Sequence, residues 1–362
     1  MANSNLSKAK KAKNDEFYTQ YADIEKEMMA YLDCDPDVFR DKTILLPCDD
    51  PEWSNFTKFF AQNFERLGLK KLISTSYADN SKAYPSGYQP TLFETENPQF
   101  DKNKTIKNGK IFTLTHDVTG DGKINVNDLE WHYLEGDGDF RSDEIKRLRD
   151  EADVIITNPP FSLFRVFLAW IMEVDKKFAM IGNINAITYK EVFPLIKENK
   201  IWLGTGMGRW ISGFIVPESY KLYGTEARID KDGNRIVATN SCLWLTNIDH
   251  GKRHQPLALM SMADNKKFNK KVQKKEKSYQ HYDNYDAIEI PFTNAIPSDY
   301  DGVMGVPITF LDKYCPEQFE IIGCSYDYGR PVNWDENINM SVSVNGKNVY
   351  KRILIKHKDA IT

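Results

Sequence analysis

The chain has 362 residues, of which 41% are hydrophobic, 28% charged and 12% aromatic, and its formal net charge is −4. This is the composition of an ordinary soluble globular protein, long enough for one large core or a catalytic domain with a smaller module, and it carries no overall basic character. The charge is unevenly spread, however: residues 251–277 carry +7 and the remainder −11, which suits either one phosphate-facing surface or a solvated helix or loop.

Residues 1–13 are polar and lysine-rich and are expected to form a disordered basic tail. No apolar stretch follows those lysines, so no secretory signal is expected. Tyr21 to Leu32 has Ile24, Met28 and Tyr31 at helical spacing. Thr43 to Pro47 (TILLP) reads as a buried strand, Phe56 to Leu67 as a helix ending at Gly68, and Lys71 to Tyr77 as the next strand. Strand, helix and strand in that order make a βαβ unit, which implies parallel strands with helices on the sheet faces.

Asn80 to Lys110 is polar and reads as part of an excursion from the sheet, spanning roughly residues 80–135, with Ile111 to Leu114 a possible strand. Ala152 to Thr157 (ADVIIT) is a buried strand, followed by Asn158-Pro159-Pro160-Phe161 and an amphipathic helix to about Glu173. Further strands are expected at Phe178 to Ile184, Cys242 to Thr246, Phe319 to Gly323 and Val349 to Ile355. The apolar stretch from Val154 to Met172 is broken by Pro159, Pro160 and Arg165 and is too short to span a bilayer. The five cysteines (Cys34, Cys48, Cys242, Cys315, Cys324) are scattered without metal-ligand spacing and read as reduced thiols of a cytoplasmic protein.

The chemistry concentrates in Asn158-Pro159-Pro160-Phe161. In an open α/β sheet, ligands collect beyond the carboxyl ends of the strands, which is where this loop falls. Asn158 offers a carbonyl acceptor. Pro159 has no N–H, leaving its carbonyl free to face a substrate. Two acceptors converging on one amino group can hold that nitrogen as it becomes tetrahedral, and Phe161 offers a flat surface to an extruded base. A sulfonium methyl donor is already activated, so orientation and acceptor placement can carry the reaction. The plainer reading is a Pro-Pro turn closing a strand; the flanking strand and helix supply the context the functional reading requires.

With those residues in view, the chain resembles the EcoRI-type adenine-specific DNA methyltransferases over nearly its whole length. The resemblance rests on NDEFYTQYADIEKEM (Asn14 to Met28), CDDPEWSNFTKFFAQNFERLGLKKLI (Cys48 to Ile73), EGDGDFRSDE (Glu135 to Glu144), ITNPPFSLFR (Ile156 to Arg165) and YDGVMGVPITFLDKYCPEQFEIIG (Tyr300 to Gly323). It implies a Rossmann-like fold with a mostly parallel sheet and helices on both faces, S-adenosylmethionine as methyl donor, and N6 of adenine in double-stranded DNA as acceptor. It further implies service beside a cognate restriction endonuclease, or as an orphan or phage enzyme. By that resemblance Asn158, Pro159, Pro160 and Phe161 form the adenine pocket, and Phe17, Tyr18 and Thr19 close over the methionine part of the cofactor. Pro47, Cys48, Asp49 and Asp50 take the place of the usual glycine-rich loop, with Asp49 or Asp50 meeting the cofactor's amino group. Asp139 and Phe140 match the position that meets the cofactor's adenine, their plainer reading being a Gly/Asp-rich surface turn. The acidic residue that usually ends the second strand and binds the ribose is missing from LISTSY.

Two further signals stand apart. Asp117, Thr119, Asp121, Asn125 and Asp128, with Gly122 at the sixth position, match a twelve-residue calcium loop, but a strand precedes it and Asp128 replaces the usual Glu, so an Asx-rich turn is the alternative. Lys266, Lys267, Lys270, Lys271, Lys274 and Lys275 lie among aromatics and can neutralise phosphates without reading sequence. Arg209 and Trp210, flanked by glycines, could contact or wedge bases, although Trp210 suits a core equally well. The expected organisation is thus a catalytic domain over 14–250 and a recognition region over 251–362. The alternatives are an enzyme of the same type acting on RNA adenine or protein glutamine, and a DNA-binding regulator without turnover.

Overall fold

The computed structural model describes residues 18–48, 54–78, 98–207, 211–216, 222, 227–237, 241–274, 279–326, 329–331 and 341–358. The expected tail at 1–13 lies outside them, as do Phe17, Asp49, Asp50, Arg209, Trp210, Lys275 and the side chain of Lys274. The chain divides into two compact units, one of residues 1–184 and 206–248 and the other of residues 185–205 and 249–362. The stretch 185–205, expected to belong with the catalytic part, therefore folds with the second unit.

In the first unit, β1 is Tyr18–Thr19, α1 Tyr21–Cys34, β2 Thr43–Leu46, α2 Asn55–Gln62, α3 Phe64–Leu67 and β3 Lys71–Thr75. Next come α4 (Lys102–Lys107), β4 (Lys110–Leu114), β5 (Glu130–Tyr133), α5 (Asp143–Glu151), β6 (Val154–Thr157), α6 (Phe164–Met172) and β7 (Lys177–Asn183). β8 (Trp202–Met207) straddles the boundary, and β9 (Phe214–Val216), β10 (Arg228–Ile229), β11 (Arg235–Val237) and β12 (Cys242–Thr246) follow. The main sheet runs β5-β4-β3-β2-β6-β7-β12-β8. The adjacent pairs β3–β2, β2–β6 and β6–β7 are parallel; β4 pairs antiparallel with β3 and β5 antiparallel with β4, so that β5 runs with the central strands, and β12 pairs antiparallel with β7. The sheet is thus mixed, with the expected parallel strands at its centre.

β2, β6 and β7 are largely apolar along their length because both of their faces are covered, and β3 adds Leu72 and Ile73 beside the buried Ser74 and Thr75. On one face Ile44, Leu46, Leu72, Val154, Ile156, Ala179 and Ile181 join the cluster built on Ile24, Met28 and Tyr31 of α1 and Phe56, Phe59 and Phe60 of α2. The opposite face is covered in part by α6: a Cβ on Gly182 would lie 2.3 Å from the Phe164 ring, so the bare backbone there lets α6 settle on β7. The helix expected at Phe56 to Leu67 is broken at Asn63, whose side-chain Nδ2 donates back to the Phe59 carbonyl at 2.8 Å, before ending at Gly68 in the left-handed conformation (φ 61°).

A second, antiparallel sheet ordered β1-β9-β11-β10 was not anticipated from the sequence. Its first strand has only two residues, Tyr18 and Thr19, paired with Ile215 and Phe214. Two acidic residues one turn apart on α1 secure this region. Asp23 accepts from the Ser212 amide (2.9 Å) and hydroxyl (2.8 Å), and Glu27 accepts from the Gly206 amide (3.0 Å) and the Tyr31 hydroxyl (2.8 Å). Burial pushes the Asp23 carboxyl up in spite of its bonds to Ser212.

The second unit holds a four-stranded sheet in which Met304–Pro307, Arg352–His357 and Phe319–Cys324 pair antiparallel and Ile288–Glu289 adds a parallel edge. The strand expected at Val349 to Ile355 begins three residues later, at Arg352. Among the described residues no helix is long and apolar enough to cross a membrane.

Candidate active site

Because β3, β2, β6 and β7 are parallel, their carboxyl ends open on one edge, which therefore gathers Thr75-Ser76-Tyr77, Pro47-Cys48, Asn158-Pro159 and Asn183. Asn158 is half-buried and Pro159 buried directly beyond Thr157. The Pro160 carbonyl accepts from the Leu163 amide at 2.8 Å, closing the turn that starts α6. No described residue bonds to the Pro159 carbonyl. Phe161 stands half-buried with its ring edge to face on Phe214, 6.2 Å between centroids.

Phe214 is the link to the amino-terminal motif, since its cross-strand partner in β1 is Thr19. Thr19 is tied in turn to the start of α2, where its carbonyl accepts from the Asn55 side chain at 2.8 Å. Two expected site segments, the loop after β6 and the strand Tyr18–Thr19, are thus joined to each other and to the start of α2 through named contacts. Pro47 is buried and Cys48 half-buried at the exit of β2. The Thr19 hydroxyl and the Thr75 hydroxyl at the end of β3 are buried and lack hydrogen-bond partners. Such orphaned donors are uncommon in protein interiors and mark positions suited to a polar ligand or water.

The segment Gly136 to Arg141 docks on the exit of β3. The Ala78 amide donates to the Asp137 carbonyl at 2.8 Å, and a Cβ on Gly138 (φ +86°) would strike the Ser76 carbonyl oxygen at 2.2 Å. Only glycine fits there. Asp139 is thereby set beside Tyr77, whose hydroxyl donates to it at 3.2 Å, while the Arg141 guanidinium grips its carboxylate. The Arg141 bonds hold the Asp139 carboxyl below the usual range against a smaller effect of burial, and burial together with the Asp139 charge pushes Tyr77 up to about 12. Phe140 is different: at 4% exposure it is committed to Phe167 and Trp170 of α6, and presents almost no face to a ligand. Its part is packing, which anchors Asp139 from behind.

The Asp117–Asp128 loop is self-contained. Asp117 accepts from the amides of Gly120 (2.6 Å) and Gly122 (2.7 Å), and Asp128 from those of Val118 (3.0 Å), Thr119 (2.9 Å) and Asn125 (2.9 Å). Those backbone bonds hold the Asp128 carboxyl below the ordinary range. Among the described residues no group of three or more His, Cys, Asp or Glu is placed to hold a metal ion. The two carboxylates are taken up as turn acceptors, the geometry of the Asx-rich alternative.

Lys266, Lys267, Lys270 and Lys271 lie in the second unit, on the helices Met262–Phe268 and Lys270–Lys274, and are exposed. Tyr77, Arg141, Asn55 and Phe214 were missed by sequence reasoning. Arg141, two residues beyond Asp139, carried the only local signal.

A parallel-stranded edge bearing an Asn-Pro-Pro-Phe loop and an ionised aspartate two strands away is the arrangement of a methyltransferase that acts on an amino nitrogen. The family model described as "Adenine-specific methyltransferase EcoRI" matches residues 5–358. The chain is 50% identical to the Type II methyltransferase M.EcoRI of Escherichia coli over 98% of its own length and 97% of that protein's. It is 34% identical to the Type II methyltransferase M.MgeORF184P of Mycoplasma genitalium, covering 97% and 98% of the two chains. With M.MpnI of Mycoplasma pneumoniae it shares 32% identity over 98% and 99%. No solved structure matches significantly. The chain belongs to the EcoRI family of adenine-specific methyltransferases.

Proposed function

We propose that this enzyme transfers a methyl group from S-adenosylmethionine to N6 of an adenine turned out of double-stranded DNA, at a specific site. The observation that carries the reading is the half-buried Asn158-to-Phe161 loop, with an unengaged Pro159 carbonyl beside Asn158 and the Phe161 ring braced upright by Phe214.

The residues at this edge fit the donor. It brings an amino acid end, ribose hydroxyls and an adenine, all of which need polar partners. Thr19 and Thr75 offer buried hydroxyls with unused hydrogen-bonding capacity, Asp139 a carboxylate kept ionised by Arg141, and Ser54 a capped start to α2. Thr19 with Tyr18 would meet the methionine part, and Asp139 with Tyr77 the adenosine part; Pro47 and Cys48 would floor the space between them. Phe17, Asp49 and Asp50 remain proposed partners of the same group by the family resemblance. When bound, the sulfonium supplies an activated methyl group.

The chain's own contribution is to orient the acceptor. The Asn158 Oδ1 and the Pro159 carbonyl accept the two hydrogens of the adenine amino group, drawing the nitrogen lone pair out of conjugation and aiming it at the methyl carbon. With the donor bound, the nitrogen held in this way would take the methyl group in place of one of its protons, which would pass to water. Phe161 holds the base plane by stacking. Pro159 helps by what it lacks, since an amide N–H there would repel the amino group. On the second unit, Lys266, Lys267, Lys270, Lys271, Lys274 and Lys275 would meet phosphates, while Arg209 and Trp210, in the stretch assigned to the first unit, remain proposed base contacts by the sequence alone. A cytoplasmic setting, with or without a partner endonuclease, suits such an enzyme.

The test is tritium transfer to duplex DNA compared with RNA and protein, read beside protection from restriction digestion. Asn158→Ala should lower methylation at least a hundredfold, roughly the cost of losing one preorganised transition-state contact, and leave DNA affinity nearly unchanged. Undiminished turnover in that variant would refute the assignment.

A further inference from the structure

We propose that Phe268, flanked in sequence by Lys266, Lys267, Lys270 and Lys271, is a stacking wedge that enters the base stack of duplex DNA; this rests on the DNA reading above. The local burial is inverted. Phe268, the last residue of the helix Met262–Phe268, is 60% exposed, whereas Asn265 (0%) and Asn269 (7%) point inward. An apolar ring in water beside buried amides runs against the ordinary preference of both residue types.

The buried amides make this a rigid mount. The Asn265 side chain donates to the Met260 carbonyl at 3.1 Å and accepts from Asn269 at 3.2 Å, and Asn269 also donates to the Asn294 carbonyl at 3.1 Å. The Asn269 side chain accepts from the Lys271 amide at 3.1 Å, fixing the turn into the helix Lys270–Lys274, and Val272 packs inward. Phe268 is therefore held out, on a support whose polar groups are satisfied.

Three of the flanking lysines lie over aromatic rings. Lys267 lies 4.9 Å from the Phe268 ring centre, Lys271 5.1 Å from that of Phe292 and Lys266 6.0 Å from that of Tyr279. An aromatic face attracts an ammonium through the ring quadrupole. Among the described residues none of the four lysines is ion-paired. The nearby Asp264 carboxylate is engaged by the Ser261 hydroxyl at 2.9 Å. A ring projecting from an uncompensated cationic surface matches a polyanion that also offers apolar planes, and duplex DNA is such a partner: phosphates meet the lysines while the ring unstacks a base step.

The experiment measures binding of the full-length protein to a fluorescent duplex carrying a mapped methylation site, across a potassium chloride series. Phe268→Ala should weaken binding about tenfold at every salt concentration, with the salt slope unchanged. Phe268→Trp should restore it. The double variant Lys266→Ala/Lys270→Ala should instead flatten the log–log slope by about two. Wild-type affinity in Phe268→Ala, beside a flattened slope in the lysine variant, would overturn the wedge and leave a purely electrostatic surface. Unchanged DNA binding in all variants, with loss of sedimentation on phosphatidylserine vesicles, would assign the surface to membranes and overturn the proposal. If the wild-type protein neither binds nor methylates the duplex, the DNA reading itself fails, which is a separate outcome.

Discussion

The tripeptide Gly-Asp-Gly occurs twice within twenty residues, at Gly120 to Gly122 and at Gly136 to Gly138, and the two copies do unlike things. In the first, both glycines have positive φ (74° and 81°) and nothing lies within 4 Å of where a Cβ would be; the neighbouring carboxylates turn inward onto backbone amides. In the second, Gly138 is pressed onto the Ser76 carbonyl at the end of a parallel strand, and the next carboxylate faces outward to Tyr77 and Arg141. Identical turn chemistry thus yields a closed surface loop in one place and a presented acid in the other. What separates them is the neighbour, a sheet edge in one case and solvent in the other.

The sharpest way to break this contrast is Gly138→Ala. Its methyl group would collide with backbone, and the positive φ adds strain, so the loop must leave Ser76 and methylation should fall by more than tenfold, with a lower melting temperature. Gly138→Ala behaving like wild type would show that the docking is incidental. Next comes Asp139→Asn, expected to raise the KM for S-adenosylmethionine about tenfold, an effect of the size of one charged hydrogen bond, while kcat changes little and the melting temperature at neutral pH falls modestly. The sign of the pH dependence follows from the depressed carboxyl. Its stabilising interaction is present above the ordinary aspartate pKa and is lost as pH falls through the lower folded value, so the acid-side loss of stability should be shallower in Asp139→Asn. In the surface loop, Gly120→Ala should cost only about 1 kcal/mol in backbone strain and leave KM and kcat unmoved. Smallest of all, calcium or a chelator should leave the melting temperature and activity unchanged; a rise in melting temperature on adding calcium would revive the metal reading of Asp117 to Asp128.

The parallel centre of the sheet was legible because strands buried on both faces must be apolar throughout, as TILLP, ADVIIT and FAMIGNI are. The Asn158 loop was legible because its residue types serve one chemistry in one context. The antiparallel sheet was hidden, since a two-residue strand such as Tyr18–Thr19 carries no period to detect. Asp23 and Glu27 were hidden for another reason. Acidic residues on a helix suggest a wet face, and only the distant amides of Ser212 and Gly206 explain their burial. Phe140 stands beside Asp139 in the sequence, yet its ring packs on Phe167 and Trp170, a burial that the Gly-Asp-rich string does not announce.

The pairing of Thr19 with Phe214, reinforced where the Gln20 side chain reaches the Ser212 hydroxyl (2.6 Å) and the Gly213 carbonyl (2.9 Å), joins points almost two hundred positions apart. During synthesis the early strand must wait for its partner to emerge from the ribosome before the brace behind Phe161 exists. A nascent chain halted short of Phe214 would own the complete Asn-Pro-Pro-Phe sequence and still lack the wall that holds its ring, so competence in this enzyme arrives late in translation.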